Sequence, residues 1–153
     1  MIASMQRAVV TLATFALVMA AAASGADKTK KKVVTPKDFP AGRPYSAGIQ
    51  VGDTLYVSGQ TGNDPKAQKV PDNFEDEVHQ CLKNVGDILK AGGMDYADVV
   101  AVQVYLTDMD LFQRMNAVYT QVFQEPRPTR TTVGVGKLAG AGAHIEITVT
   151  ARR

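Results

Sequence analysis

The sequence predicts an α+β domain in which a mixed sheet carries two helices on one face. Apolar residues alternate in steps of two at Leu55 and Val57 and again from Ile145 to Val149, and they recur at helical spacing from Phe74 to Leu89 and from Leu111 to Val122. The order along the chain is strand, strand, helix, strand, helix, strand, strand. A chain of 153 residues that is 45% apolar and 21% charged has material for one core and too little for two.

The first hairpin runs over Tyr45–Val51 and Thr54–Gly59, joined by Gly52-Asp53, a dipeptide suited to a two-residue turn. Leu55 and Val57 face one way, Tyr56 and Ser58 the other. The turn-rich segment Thr61 to Pro65 then leaves Ser58, Gly59 and Gln60 at a strand end, where ligand contacts concentrate. Helix one spans Asn73 to Ala91: Asp72 or Asn73 caps it, Glu75 and Asp76 suit its first turn, and Gly92-Gly93 ends it. Phe74, Val78, Cys81, Leu82, Val85, Ile88 and Leu89 form its buried stripe, and His79 lies off it. The lone Cys81 reads as a small buried hydrophobe, with no His or Asp at nucleophile spacing.

Val99 to Leu106 is a nearly continuous β-branched run, which suits a strand buried on much of both faces. Helix two spans Asp110 to Phe123, with Leu111, Met115, Val118, Tyr119 and Val122 as its stripe and Pro126 as its stop. Asn116 lies off that stripe. The glycine-rich stretch Gly134 to Gly142 fails as a phosphate loop, because Leu follows Lys137 where Ser or Thr is required and no helix begins after it. It reads as a flexible connection. No cluster of His, Cys and carboxylates has metal-ligand spacing, so no metal site is expected.

Chemistry is expected from the last two strands. On the stretch ending at Val135, Arg130 and Thr132 share one face while Thr131, Val133 and Val135 share the other. On the final strand Ile145, Ile147 and Val149 oppose Glu146, Thr148 and Thr150. If the valines and isoleucines share a core, Arg130 and Glu146 project from the same non-core surface. By alternation alone that pair is a solvated cross-strand contact contributing about 0.2 to 1 kcal/mol. Pro126 and Pro128, which hold the approach extended, are what suit an Arg that must be aimed.

Six ordered pieces carry a resemblance: Tyr45-Ser46, Val57 to Gln60, Val104 to Met109, Met115 to Tyr119, Pro128 to Thr132, and His144 to Ile147. Together they resemble the RidA family, also called YjgF/YER057c/UK114, of reactive-intermediate imine deaminases, over roughly residues 34–153. The resemblance implies a chorismate-mutase-like fold and a homotrimer whose sheets form a central barrel, with sites in clefts between subunits. It implies that Arg130 grips a substrate carboxylate and that Glu146 orients and activates the attacking water. Tyr45, Ser58, Gly59, Asn116 and Thr132 match pocket positions, with Gly59 acting through its backbone. The implied substrate is a small enamine or imine acid such as 2-aminoacrylate, hydrolysed without a cofactor to a 2-keto acid and ammonia. Thr132 stands where close relatives often have Cys, which removes a thiol. Two rival readings remain: a non-catalytic small-molecule-binding or chaperone-like role for the same trimer, and an endoribonuclease, which predicts a basic groove with stacking aromatics.

Residues 1–26 read as a signal peptide. Arg7 supplies its short positive region, Ala8 to Ala23 is an apolar run too short to favour a membrane span, and Ser24-Gly25-Ala26 offers small residues for cleavage. The expected location is periplasmic or secreted, with no stable membrane span after processing; a cytoplasmic or membrane-anchored chain is the alternative, and the lysines that follow argue against easy export. Residues 27–37 read as a lysine-rich linker, and 38–153 as the folded domain. A net charge of +2, with no run of Lys and Arg in that domain and no Trp, leads to no expected nucleic-acid partner.

Overall fold

The computed structural model of the protein describes residues 30–153; the expected signal segment, residues 1–26, lies outside them. Six strands form one sheet: β1 (Lys31–Val34), β2 (Gly48–Val51), β3 (Thr54–Thr61), β4 (Val99–Leu106), β5 (Thr129–Gly134) and β6 (Ile145–Arg152). Their order is β1-β2-β3-β6-β4-β5, with β4 and β5 parallel and every other pair of neighbours antiparallel. Helix α1 (Phe74–Ala91) connects β3 to β4, and helix α2 (Phe112–Val122) connects β4 to β5. A parallel pair needs such a crossover, so the second helix and the sense of β5 go together.

Both helices pack on one face of the sheet, as the α+β reading requires. Leu55, Val57, Val102, Val104, Leu106, Ile145, Ile147 and Val149 supply the sheet side of the core, and all seven residues of the expected α1 stripe are buried against them. Each such side chain contributes about 1.5–3 kcal/mol on burial, which outweighs the modest helix propensity of either segment. Asn73 caps α1 by accepting the Asp76 N–H at 3.1 Å, and Gly92 closes it. On α2 the buried residues are Met115, Val118 and Tyr119; Leu111 and Val122 are only partly covered, and a 3-10 turn (Met109–Leu111) precedes the helix.

Three expectations are corrected. The first expected strand begins at Gly48 rather than Tyr45, so Tyr45 sits on the segment leading into β2. Residues 31–34, read as part of a linker, pair with β2 as an edge strand and bury Val34. The third concerns β4, expected to be buried on much of both faces: Val99, Val102, Val104 and Leu106 are buried, but its other side belongs to the face of the sheet that neither helix covers. That face is mixed: it pairs Tyr56 with Thr150, Tyr105 with Val133 and with Glu146, and Gln103 with Thr148 and Thr131. Val33, Tyr56 and Val133 remain exposed on it.

Candidate functional site

The sheet register sorts the expected site residues into two groups. Side chains directly opposite one another on neighbouring strands share a face. Arg130 is opposite Val102, which is opposite Val149, so Arg130 projects from the helix-covered face, and Thr132, opposite Val104, does the same. Glu146 is opposite Tyr105, which is opposite Val133, so it projects from the uncovered face. The expected juxtaposition of Arg130 and Glu146 on one surface therefore fails within a protomer. It assumed that the valines of β5 belong to the core, whereas Val133 is 40% exposed and the strand turns its Arg and Thr toward α2.

The first group lies around a break in β3. The β3–β6 register shifts between Val57 and Gln60, which places Ser58 and Gly59 in a bulge. Ser58 N–H donates to the Ala47 carbonyl at 2.9 Å, and the Gln60 amide donates at 3.0 Å to the Ser58 carbonyl, the Ser58 hydroxyl and the Gly59 carbonyl. The missing side chain leaves room for the Glu146 carboxylate: a Cβ at position 59 would lie 1.9 Å from Oε1 of Glu146 and displace it. Tyr45, Ser58, Gly59 and Glu146 line one groove of about 970 Å³. Tyr45 is 49% exposed there, edge-on to Phe39 at 6.1 Å between ring centres. The sequence shows no basic cluster, yet the fold gathers Lys37, Arg43, Lys69, Lys83 and Lys90 along this groove. They come from three separate segments, the β1–β2 connection, the β3–α1 connection and α1 itself, and Lys83 is paired with Asp87 at 2.8 Å.

The second group surrounds Arg130. Its guanidinium lies 4.5 Å from the centre of the Tyr119 ring and 5.6 Å from that of Phe112, and Nη1 approaches the Met115 sulfur at 3.9 Å. Among the described residues it has no carboxylate partner. The aromatic faces attract the cation through their quadrupoles and fix its plane without using its hydrogen-bond donors. Two buried hydroxyls nearby, Tyr119 Oη and Thr132 Oγ1, have no hydrogen-bond partner among the described residues. Burial pushes the Tyr119 phenol up, against the opposite pull of Arg130 and Arg127. Asn116 follows Met115 on α2, and its side-chain amide donates to Oε1 of Gln113 at 3.5 Å. An unpaired guanidinium beside two unpartnered hydroxyls is what an anion such as a carboxylate needs.

Sequence reasoning missed Phe112 and Tyr119 as partners of Arg130. Tyr119 was assigned to the α2 core stripe, and only the parallel pairing of β5 reveals that Arg130 faces it. Cys81 is buried as expected; its thiol donates to the Gln60 carbonyl at 3.0 Å, and burial pushes it up, away from a reactive thiolate. Among the described residues no group of His, Cys, Asp and Glu could hold a metal ion, and no helix is long and apolar enough to cross a membrane.

The family model described as Endoribonuclease L-PSP matches residues 35–153. A mouse protein named 2-iminobutanoate/2-iminopropanoate deaminase is 42% identical over 119 residues, covering 76% of this chain and 87% of the mouse protein. A crystal structure of a putative endoribonuclease from Thermotoga maritima superposes with a TM-score of 0.76 at 38% identity, over 81% of this chain and 98% of that one. The YjgF gene product of E. coli does so with a TM-score of 0.74 at 32% identity, over 80% and 98%.

Proposed function

We propose, for a chain that belongs to the RidA (YjgF/YER057c/UK114) family, that it is an imine deaminase, hydrolysing reactive enamine and imine acids to 2-keto acids and ammonia. The observation that carries the chemistry is Arg130, presented by two aromatic rings with no carboxylate of its own. A planar guanidinium grips a substrate carboxylate through two parallel hydrogen bonds. Thr132 and Tyr119 offer hydroxyls beside it. Glu146 supplies the base: water adds to the protonated imine carbon as the carboxylate takes its proton, that proton then passes to the carbinolamine nitrogen, and as the C–N bond breaks and ammonia leaves the carboxylate takes the remaining hydroxyl proton, giving the keto group. An enamine such as 2-aminoacrylate first takes a proton on carbon to become the imine. A protonated imine is already electrophilic, so holding it beside a positioned water is the main task.

Because Arg130 and Glu146 leave opposite faces of one sheet, a single substrate meets both only if they come from different copies. We therefore place the site between subunits of a homotrimer. The strand β5 is a sheet edge, so its side chains border the next copy. The expected periplasmic or secreted location stays part of the proposal, and an intact mass beginning near Asp27 in protein from the native host tests it. The activity itself is tested by timing keto-acid release from 2-aminoacrylate generated in the assay: acceleration over the spontaneous rate is expected, and none would sink the assignment.

A second reading, RNA cleavage, is favoured by the cationic lining of the groove and the nearby Phe39 and Tyr45. Against it, those two rings pack on each other and one of the lysines is already paired. Salt-dependent binding of single-stranded RNA with cleavage, lost on substituting Lys37, Arg43 and Lys69 together, would favour it.

A further inference from the structure

Glu77 is the one charged side chain fully buried among the described residues, at 0% exposure. A carboxylate out of water is costly unless its oxygens find donors. Here Oε1 accepts the main-chain N–H groups of His144 at 2.7 Å and Ile145 at 3.2 Å, and Oε2 lies 2.8 Å from Nδ1 of His144. These are the residues that open β6, and Glu146 is the next one. The Glu146 carboxylate has no hydrogen bond or ion pair among the described residues. It rests over Gly59, so its place is inherited from two stretches of main chain, the start of β6 and the end of β3.

The same helix holds the second stretch. The Cys81 thiol donates to the Gln60 carbonyl at 3.0 Å, and the Asn84 amide donates to the carbonyls of Thr61 at 2.9 Å and Asn63 at 2.8 Å. Glu77, Cys81 and Asn84 follow one another at four and three residues, forming a row along α1. We propose that Glu77 is a positioning residue for Glu146: by holding the first N–H groups of β6, it sets where the base stands over Gly59. This rests on the reading of Glu146 as the general base. The acceptor matters here and the charge does not. A carboxamide at position 77 keeps one oxygen for both main-chain N–H groups and offers its NH2 to Nδ1 of His144, in the ring tautomer whose Nδ1 accepts.

The test compares Glu77→Gln and Glu77→Met in the full assembly. Since a displacement of about 1 Å at a reacting group costs on the order of 100-fold, Glu77→Met is expected to lower kcat at least about 10-fold. Its KM should stay within about 2-fold, because the substrate carboxylate is held by Arg130. Glu77→Gln should keep both within about 3-fold. If Glu77→Met does not fold, Glu77→Asp, which withdraws the carboxylate by one methylene, should show the same split. Amide hydrogen exchange reads the clamp without turnover: exchange at Ile145 and Glu146 should rise at least about 10-fold in Glu77→Met, with Val102 and Val104 unchanged. Unchanged exchange, or a folded Glu77→Met with wild-type kcat, overturns the proposal. A wild-type protein that fails to turn over imines instead overturns the deaminase reading, and the exchange result then decides the clamp by itself.

Discussion

At the scale of single residues, Arg130 bears the most weight. If it holds a carboxylate by paired charge-assisted hydrogen bonds of about 1.5–3 kcal/mol each, Arg130→Ala should lower kcat/KM at least about 100-fold. Arg130→Lys should recover only part of this, because the charge returns without the two-pronged geometry. Steady-state kinetics with melting temperatures measured alongside checks both; a well-folded Arg130→Ala with near-wild-type turnover would refute the role. Tyr119 separates aiming from binding. Tyr119→Leu removes the stacked ring and should cost about 0.5 to 2 kcal/mol, seen mostly in KM, while Tyr119→Phe keeps the ring and should cost less. The sequence marks Arg130 through its proline-braced strand, but it hides the ring beneath it, since an aromatic at helical spacing reads as core. Glu77 is hidden for a similar reason. In the first turn, beside Glu75 and Asp76, it looks like one more acid favoured by the helix dipole.

At the scale of elements, the two glycines flanking the end of β3 should fail in different ways. The three atoms nearest a Cβ on Gly59 all belong to the Glu146 side chain, Oε1 at 1.9 Å foremost, and that flexible side chain swings aside at little cost to the fold. Gly59→Ala should therefore fold with a nearly unchanged melting temperature and lose at least about 10-fold in kcat. A Cβ on Gly62 instead meets the Glu77 carbonyl oxygen at 2.5 Å and Cγ at 2.3 Å, and α1 cannot yield so easily. Gly62→Ala should destabilise by about 1–3 kcal/mol, as overpacking does. Thermal denaturation and kinetics on the pair settle the contrast; equal loss of stability in both would show that the bulge is structural only. Helix positions were legible because seven apolar residues repeat at one period from Phe74 to Leu89. The faces of β5 were not. Its run Thr129 to Val135 alternates threonine with arginine and valine, and which side is core depends on the parallel pairing with β4, a long-range fact that no local pattern carries.

At the scale of the whole molecule, the proposed homotrimer makes a prediction for the uncovered face and another for the divided site. Val33, Tyr56 and Val133 are exposed on a face that neither helix covers, and the proposed homotrimer is expected to lower their exposure, which solvent labelling of the assembled protein checks. The sharper consequence is kinetic. Take Arg130→Ala and Glu146→Ala, each inactive alone, and let their subunits reassort. A site shared between neighbours needs Arg130 from one copy and Glu146 from the next, so every mixed trimer contains one intact pairing in its three clefts. With random exchange of equal amounts, about a quarter of all sites become wild-type, and activity should return to about that fraction. If each site were built within one protomer, no mixture could restore it. Refolding the variants separately and together, with light scattering to confirm a trimer, distinguishes the two arrangements: recovery only in the mixed sample requires the shared site, and no recovery from a trimer shown to have exchanged its subunits would return Arg130 and Glu146 to separate roles.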